Sequence, residues 1–151
     1  MDKTEKLQKL KERQILSLEG MKYGVQRIDL LIVSISGAGI YVCLEALKFL
    51  KEENLDLSSI IKYSGLFLAL AIIINFISQF LGHKSNEVDW RWCEHIIDCN
   101  DEPSKKQKKV IDNLDDRSEI LSDLTIWSNY LSALLMFIGL GMLIYYFTFI
   151  F

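Results

Sequence analysis

Apolar residues in this chain gather into three blocks separated by stretches of mixed polarity. The first runs from Ile28 to Leu50 (IDLLIVSISGAGIYVCLEALKFL) and the second from Ile60 to Gly82 (IIKYSGLFLALAIIINFISQFLG). The third runs from Trp127 to Phe151 (WSNYLSALLMFIGLGMLIYYFTFIF). Each is 23 to 25 residues long, which at about 1.5 Å per residue crosses a hydrocarbon core of roughly 30 Å. Lipid offers backbone N–H and C=O groups no partner, so segments of this kind are helices and not strands. The predicted fold class is an all-α membrane protein with three transmembrane helices, amphipathic helices before the first span and between the second and third, and a homo-oligomeric assembly.

The polar stretches carry a helical period of their own. Leu7, Leu10, Gln14, Leu18, Met21, Val25 and Ile28 recur every three or four residues and lead into the first span. Gly20 and Gly24 weaken that helix where it nears the membrane. After Pro103, Ile111, Leu114, Leu121 and Leu124 form a second stripe, and no Gly or Pro interrupts residues 104–138. A single helix from about Lys105 to the C-terminus is predicted. The expected organisation is an amphipathic helix over 1–27, a span over 28–50, a short external loop over 51–59, a span over 60–82, a cytosolic helical segment over 83–126 and a span over 127–151.

Charge orients these elements. Of the chain's 151 residues half are hydrophobic, and the net charge is −3. Residues 1–27 carry seven Lys and Arg and residues 83–126 another seven, whereas the 51–59 loop carries only Lys51. The positive-inside rule therefore predicts a cytosolic N-terminus and a cytosolic 83–126 segment, with the loop and the C-terminus outside. No apolar segment precedes residue 28, so the first span is expected to serve as the targeting signal.

Several residues inside the blocks are too polar for lipid. Ser34, Gly37, Tyr41, Glu45 and Lys48 follow one helical spacing in the first span, and Asn75 and Gln79 lie four apart in the second. The third has Ser128, Asn129 and Ser132 near its cytosolic end. Such faces must meet other helices or water. Small residues four apart (Ser34 with Ala38, Gly65 with Ala69, Ser128 with Ser132) support close helix packing. The alternative is a pore lined by Ser34, Gly37, Tyr41, Glu45, Asn75, Gln79 and Ser132 once several copies assemble, since three helices alone enclose no aqueous path.

Reactive chemistry is poorly represented. The stretch DWRWCEHIIDCN (89–100) concentrates two Cys and one His, but on a helix Cys93 and His95 diverge by about 200° and cannot grip one ion. His95 and Cys99 supply at most two ligands where a closed zinc site needs about four. With Val88, Trp92, Ile96 and Cys99 on one face, the stretch reads as an amphipathic cytosolic helix, and a reducing compartment leaves Cys93 and Cys99 as thiols. Cys43, inside the first span, reads as a small apolar filler. There is no Gly-rich phosphate loop and no nucleophile elbow, so neither catalysis nor a cofactor or metal is expected. The basic cluster KKQKK at 105–109 (Lys105, Lys106, Lys108 and Lys109) fits anionic headgroups or a phosphate-bearing ligand such as a nucleotide or oligonucleotide.

The leading helix, the two closely spaced spans and the polar helical region directly after them (ISQFLGHKSNEVDWRWCEHIID, 77–98) together resemble the SLATT group. These are small bacterial two-span proteins encoded beside nucleotidyltransferases in anti-phage defence operons. The resemblance covers about residues 5–100, and the third apolar block departs from the two-span pattern. It implies an oligomeric pore-forming effector in the bacterial inner membrane, controlled from the cytosol by a nucleotide made by the partner enzyme. The competing readings are a holin-like or superinfection-exclusion protein, and a non-conducting scaffold that holds a cytosolic partner through residues 83–126. The expected partners are membrane lipids, further copies of the chain and that nucleotide or oligonucleotide.

Overall fold

The computed structural model describes the backbone of residues 3–54, 58–98 and 104–150, and the side chains of 26–54, 58–95 and 104–150. It contains three helices: α1 (Lys3–Glu52), α2 (Ser59–Asp98) and α3 (Lys105–Phe149). At about 1.5 Å per residue they are rods of roughly 60 to 75 Å, about twice the thickness of a hydrocarbon core. Each apolar block forms one end of a helix, and the polar stretch beside it continues the same helix as an arm. All three are long and apolar enough to cross a membrane.

Local sequence sets the breaks. α1 ends where Asn54 adopts a left-handed conformation (φ 53°), a region in which Asn is tolerated better than most residues. α3 begins with a capping box, in which Ser104 N–H donates to Gln107 Oε1 (2.9 Å) and Gln107 N–H to Ser104 Oγ (3.4 Å). That arrangement satisfies two of the free N–H groups of a new helix reciprocally. Gly20 and Gly24 do not interrupt α1. The stripe Leu7, Leu10, Gln14, Leu18, Met21 and Val25 lies outside the described side chains, as do Ile96 and Cys99.

The helices run antiparallel to their chain neighbours, α2 and α3 packing most extensively and α1 less so. Along α2 and α3, Ser64 faces Gly139, Ser78 faces Thr125 and Ser85 faces Ser118. One straight register thus holds from the end near the α1–α2 loop, the loop end, to the opposite arm end. Nine hydrophobic residues are buried among the described ones, including Ile32, Leu50, Ile61, Leu68 and Leu143. Among the described residues thirty large hydrophobics are exposed, most of them within the three apolar blocks, and a fully exposed one costs about 1.5–3 kcal/mol in water. An apolar surrounding of those blocks removes that cost. Trp127 (74 % exposed) and Tyr130 mark one edge of the apolar zone, and Tyr145 and Phe149 the other, as aromatic residues do at membrane interfaces.

The centre of the bundle is closed. Leu68 lies between Gly39 of α1 and Gly139 of α3, where added Cβ atoms would come within 2.6 and 2.7 Å of its side chain. Only residues without a side chain let three backbones approach so closely. Ser64 donates from Oγ to the carbonyl of Gly139 (2.7 Å) and receives a weak bond from Cys43 Sγ (3.7 Å). No side-chain-sized channel runs through a single chain at this level.

Candidate functional site

Towards the arm end, the apolar interior gives way to a polar node. Asp29, second in the first apolar block, sits on the α1 side facing α2. Its Oδ1 accepts from Asn75 Nδ2 (2.9 Å), and Asn75 Oδ1 accepts from Gln79 Nε2 (3.0 Å). Asn75 is fully buried, so both ends of its amide are satisfied as burial demands. This bond joins α1 to α2 at depth, and it leaves Asp29 Oδ2 with no partner among the described residues.

One turn along α2, fully buried Ser78 lies 2.6 Å from Asn129 Oδ1 and 3.0 Å from the carbonyl of Thr125. A hydroxyl has one hydrogen, so it serves one acceptor; turning the Asn129 amide lets its NH₂ donate to Ser78 while Ser78 donates to Thr125. Asn129 in turn accepts through its carbonyl from Ser132 Oγ (2.9 Å). Beside these two chains opens a cavity of about 770 Å³, lined by Gln26, Asp29, Gln79, His83, Asn86 and Asn129 together with apolar residues of α1 and α2. Its lining holds one carboxylate and no Lys or Arg. It can take water and hydrogen-bonding or cationic groups.

The pore-lining candidates fall into two groups on different surfaces. Asn75 and Ser132 are buried inside the bundle, and Gln79, exposed, borders the cavity. Ser34, Gly37, Tyr41 and Glu45 lie together on the outward face of α1, all exposed, and a Cβ at Gly37 would meet nothing within 4 Å. Ser36 and Gly39, two residues along from Ser34 and Gly37, are the positions that turn inward. Asp29 and Thr125 were not singled out by spacing. The signal for Asp29 was an acid one residue inside an apolar block, which reads equally well as an interfacial charge.

Beyond the node, the arms of α2 and α3 stay paired. Val88 and Trp92 are half-buried, on the side of α2 from which Ser85 reaches Ser118 of α3, while Arg91 and Glu94 are exposed. Cys93 is exposed and Cys43 buried. Among the described residues no His, Cys, Asp and Glu side chains group as metal ligands. Glu87 pairs with Lys84 and Arg91, each at 2.7 Å. The hydrogen bond from Lys84, the Lys84 charge and then the Arg91 charge hold its carboxyl below the usual range.

Lys105, Lys106, Lys108 and Lys109 are all exposed in the first two turns of α3. Because α3 is continuous, Lys105 stands 22 residues from Trp127, about 33 Å along the axis. That distance separates these lysines from the edge of the apolar zone at Trp127. No acidic residue sits in this first turn, and a helix N-terminus favours anions. An anionic group can therefore approach there. The chain matches no protein-family model, no curated protein and no solved structure.

Proposed function

We propose that several copies of this chain assemble in a membrane and conduct ions through a path that they enclose together. The observation that carries the reading is a mismatch between inside and outside. The single-chain interior is closed where Leu68 fits between Gly39 and Gly139. Meanwhile Ser34, Tyr41 and Glu45 project from the outward face of α1 at depths where lipid would otherwise surround them. Polar and charged groups in that position are costly unless they meet water or another polar surface. A neighbouring copy seated on this face, beside a shared axis, supplies such a surface.

In this reading the arms of α1, α2 and α3 lie in the cytosol, as the distribution of Lys and Arg favours, and the α1–α2 loop lies outside. The exposed basic tip of α3 is the receiving point for a phosphate-bearing signal. The resemblance of residues 5–100 to SLATT proteins supports a role as a defence effector, with a nucleotide or oligonucleotide as the opening signal.

The test is ion flux. The purified full chain in liposomes should release a trapped potassium gradient, and its expression in bacteria should depolarise the inner membrane as read by a potential-sensitive dye. A chain that neither depolarises cells nor passes ions in liposomes, with or without nucleotides, is not a pore.

A further inference from the structure

Resting on the reading of the chain as a homo-oligomer, we propose that the outward face of α1 is the contact surface for a second, parallel copy. In that contact, Glu45 of each copy pairs with Lys48 of its neighbour.

The face has the repeat that a helix–helix seam requires. Ser34, Tyr41 and Lys48 are seven apart, as are Ala38 and Glu45, with Gly37 flanking the first row on the side away from the second, and all six are exposed. A stripe that repeats every seven residues drifts only about 20° per repeat, which suits two parallel helices wrapped left-handedly at a shallow angle. Gly37 leaves open space beside it, so a neighbouring backbone can approach there. Next to Glu45, a groove of about 260 Å³ between α1 and α3, lined by Tyr41, Phe49, Leu50 and Tyr146 among others, can receive a neighbour's side chain.

Charge selects a second copy as the occupant. Among the described residues neither Glu45 nor Lys48 has a hydrogen-bond or ion-pair partner. Glu45 lies seven residues before the end of α1 at Glu52, about 10 Å along the axis. Side chains on a helix lean towards its N-terminus, so the Glu45 carboxylate leans away from the loop end and cannot reach it. The same lean carries the Lys48 ammonium towards the depth of Glu45. Lipid provides no cation at that depth, whereas a parallel copy provides one within a single turn, and reciprocally.

The test uses the full chain in native membranes. With p-benzoylphenylalanine in place of Tyr41, illumination should cross-link copy to copy; the same probe at Leu66, exposed on α2, should not. E45K and K48E should each lower the Tyr41 cross-link by about tenfold. Co-expressed with two different tags, the two variants should recover cross-linking and co-purify, because each supplies the charge that the other lacks. Cross-linking mainly from Leu66, or single variants that cross-link like the wild type, overturns the inference. So does recovery only when E45K and K48E stand in one chain, which is pairing within a copy. A wild type that is oligomeric through another face defeats this inference alone. A wild type that is monomeric in nanodiscs and passes no ions defeats the pore as well.

Discussion

Gly139 and Leu68 occupy one space between them: a Cβ on the glycine would lie 2.7 Å from Leu68 Cγ and 3.2 Å from the Ser64 carbonyl. Backbone sits where a side chain would be on α3, and a leucine fills what remains. The same leucine meets Gly39 from the other side, so one residue sets the separation of all three helices.

Gly139→Ala is therefore expected to destabilise the bundle by about 1–3 kcal/mol, the usual cost of forcing atoms into a filled core. Adding Leu68→Ala should return part of that loss, because it removes the atoms in conflict. Gly141→Ala, whose Cβ would meet nothing within 4 Å, should change stability by less than about 0.5 kcal/mol. Thermal unfolding in detergent measures all three.

Asn75→Leu should cost more than its size implies. It removes the hydrogen bonds to half-buried Asp29 and exposed Gln79 at once, each worth about 0.5–1.5 kcal/mol. Asp29→Asn keeps an oxygen for Asn75 to donate to, and should retain most of the stability while removing the cavity's only carboxylate. Unfolding temperature separates the two variants, and ion flux in liposomes should then fall for Asp29→Asn if the cavity lies on the conducting path.

Reversing Lys105, Lys106, Lys108 and Lys109 to Glu should not lower thermal stability, since all four are exposed and each carboxylate in the first turn of a helix is favoured by about 0.3–1 kcal/mol. Binding to anionic vesicles should also be unchanged, given the distance of this tip from Trp127. Only the response to a phosphate-bearing signal should disappear. A dye assay with and without added nucleotides, run beside vesicle flotation, reads the two effects apart.

The arm of α2 should loosen in acid. Glu87 has its carboxyl held low by Lys84 and Arg91, so its folded value lies below its unfolded one. The stability it contributes is complete above the ordinary glutamate value of about 4.3 and is lost as pH falls through the folded value. Hydrogen exchange around Glu87 should quicken over that interval, more weakly at high salt because the pair is solvent-screened. Glu87→Gln should remove that part of the pH dependence.

How much of this could be read from sequence depends on whether lipid or packing decides a position. The three helices were legible because more than twenty consecutive apolar residues permit no other backbone in a bilayer. The start of α3 after Pro103 was legible for a local reason, and the structure adds the Ser104–Gln107 box. The pairing of Asn75 with Gln79 on one face was visible in four-residue spacing, and the structure buries Asn75 while leaving Gln79 exposed. Rotation of α1 was not legible. Ser34 and Ser36 are the same residue type two positions apart, yet Ser36 is fully buried and Ser34 exposed. In water an apolar stripe marks the inside of a helix; where the outside is equally apolar, periodicity finds faces without ranking them. The partner chosen by Asp29 was hidden for a related reason, since it depends on which part of α2 slides past residue 29.

The bundle's interior includes Ser36, Ser64, Asn75, Ser78 and Ser132 beside its buried hydrophobics, whereas most exposed large residues of the apolar blocks are Leu, Ile and Phe. This reverses the usual map of mutational tolerance. Exchanges among large aliphatic and aromatic residues at positions such as Leu30, Phe80, Leu134 or Ile144 should pass unnoticed in a random library, and the sequence there can drift widely. The small polar interior drifts less, because Ser64, Asn75, Ser78 and Ser132 each have a fixed hydrogen-bond partner and Gly139 has a backbone carbonyl against it. Selection on this chain should therefore write its record in serines, asparagines and glycines, the residues that a search weighted towards hydrophobic cores would discount.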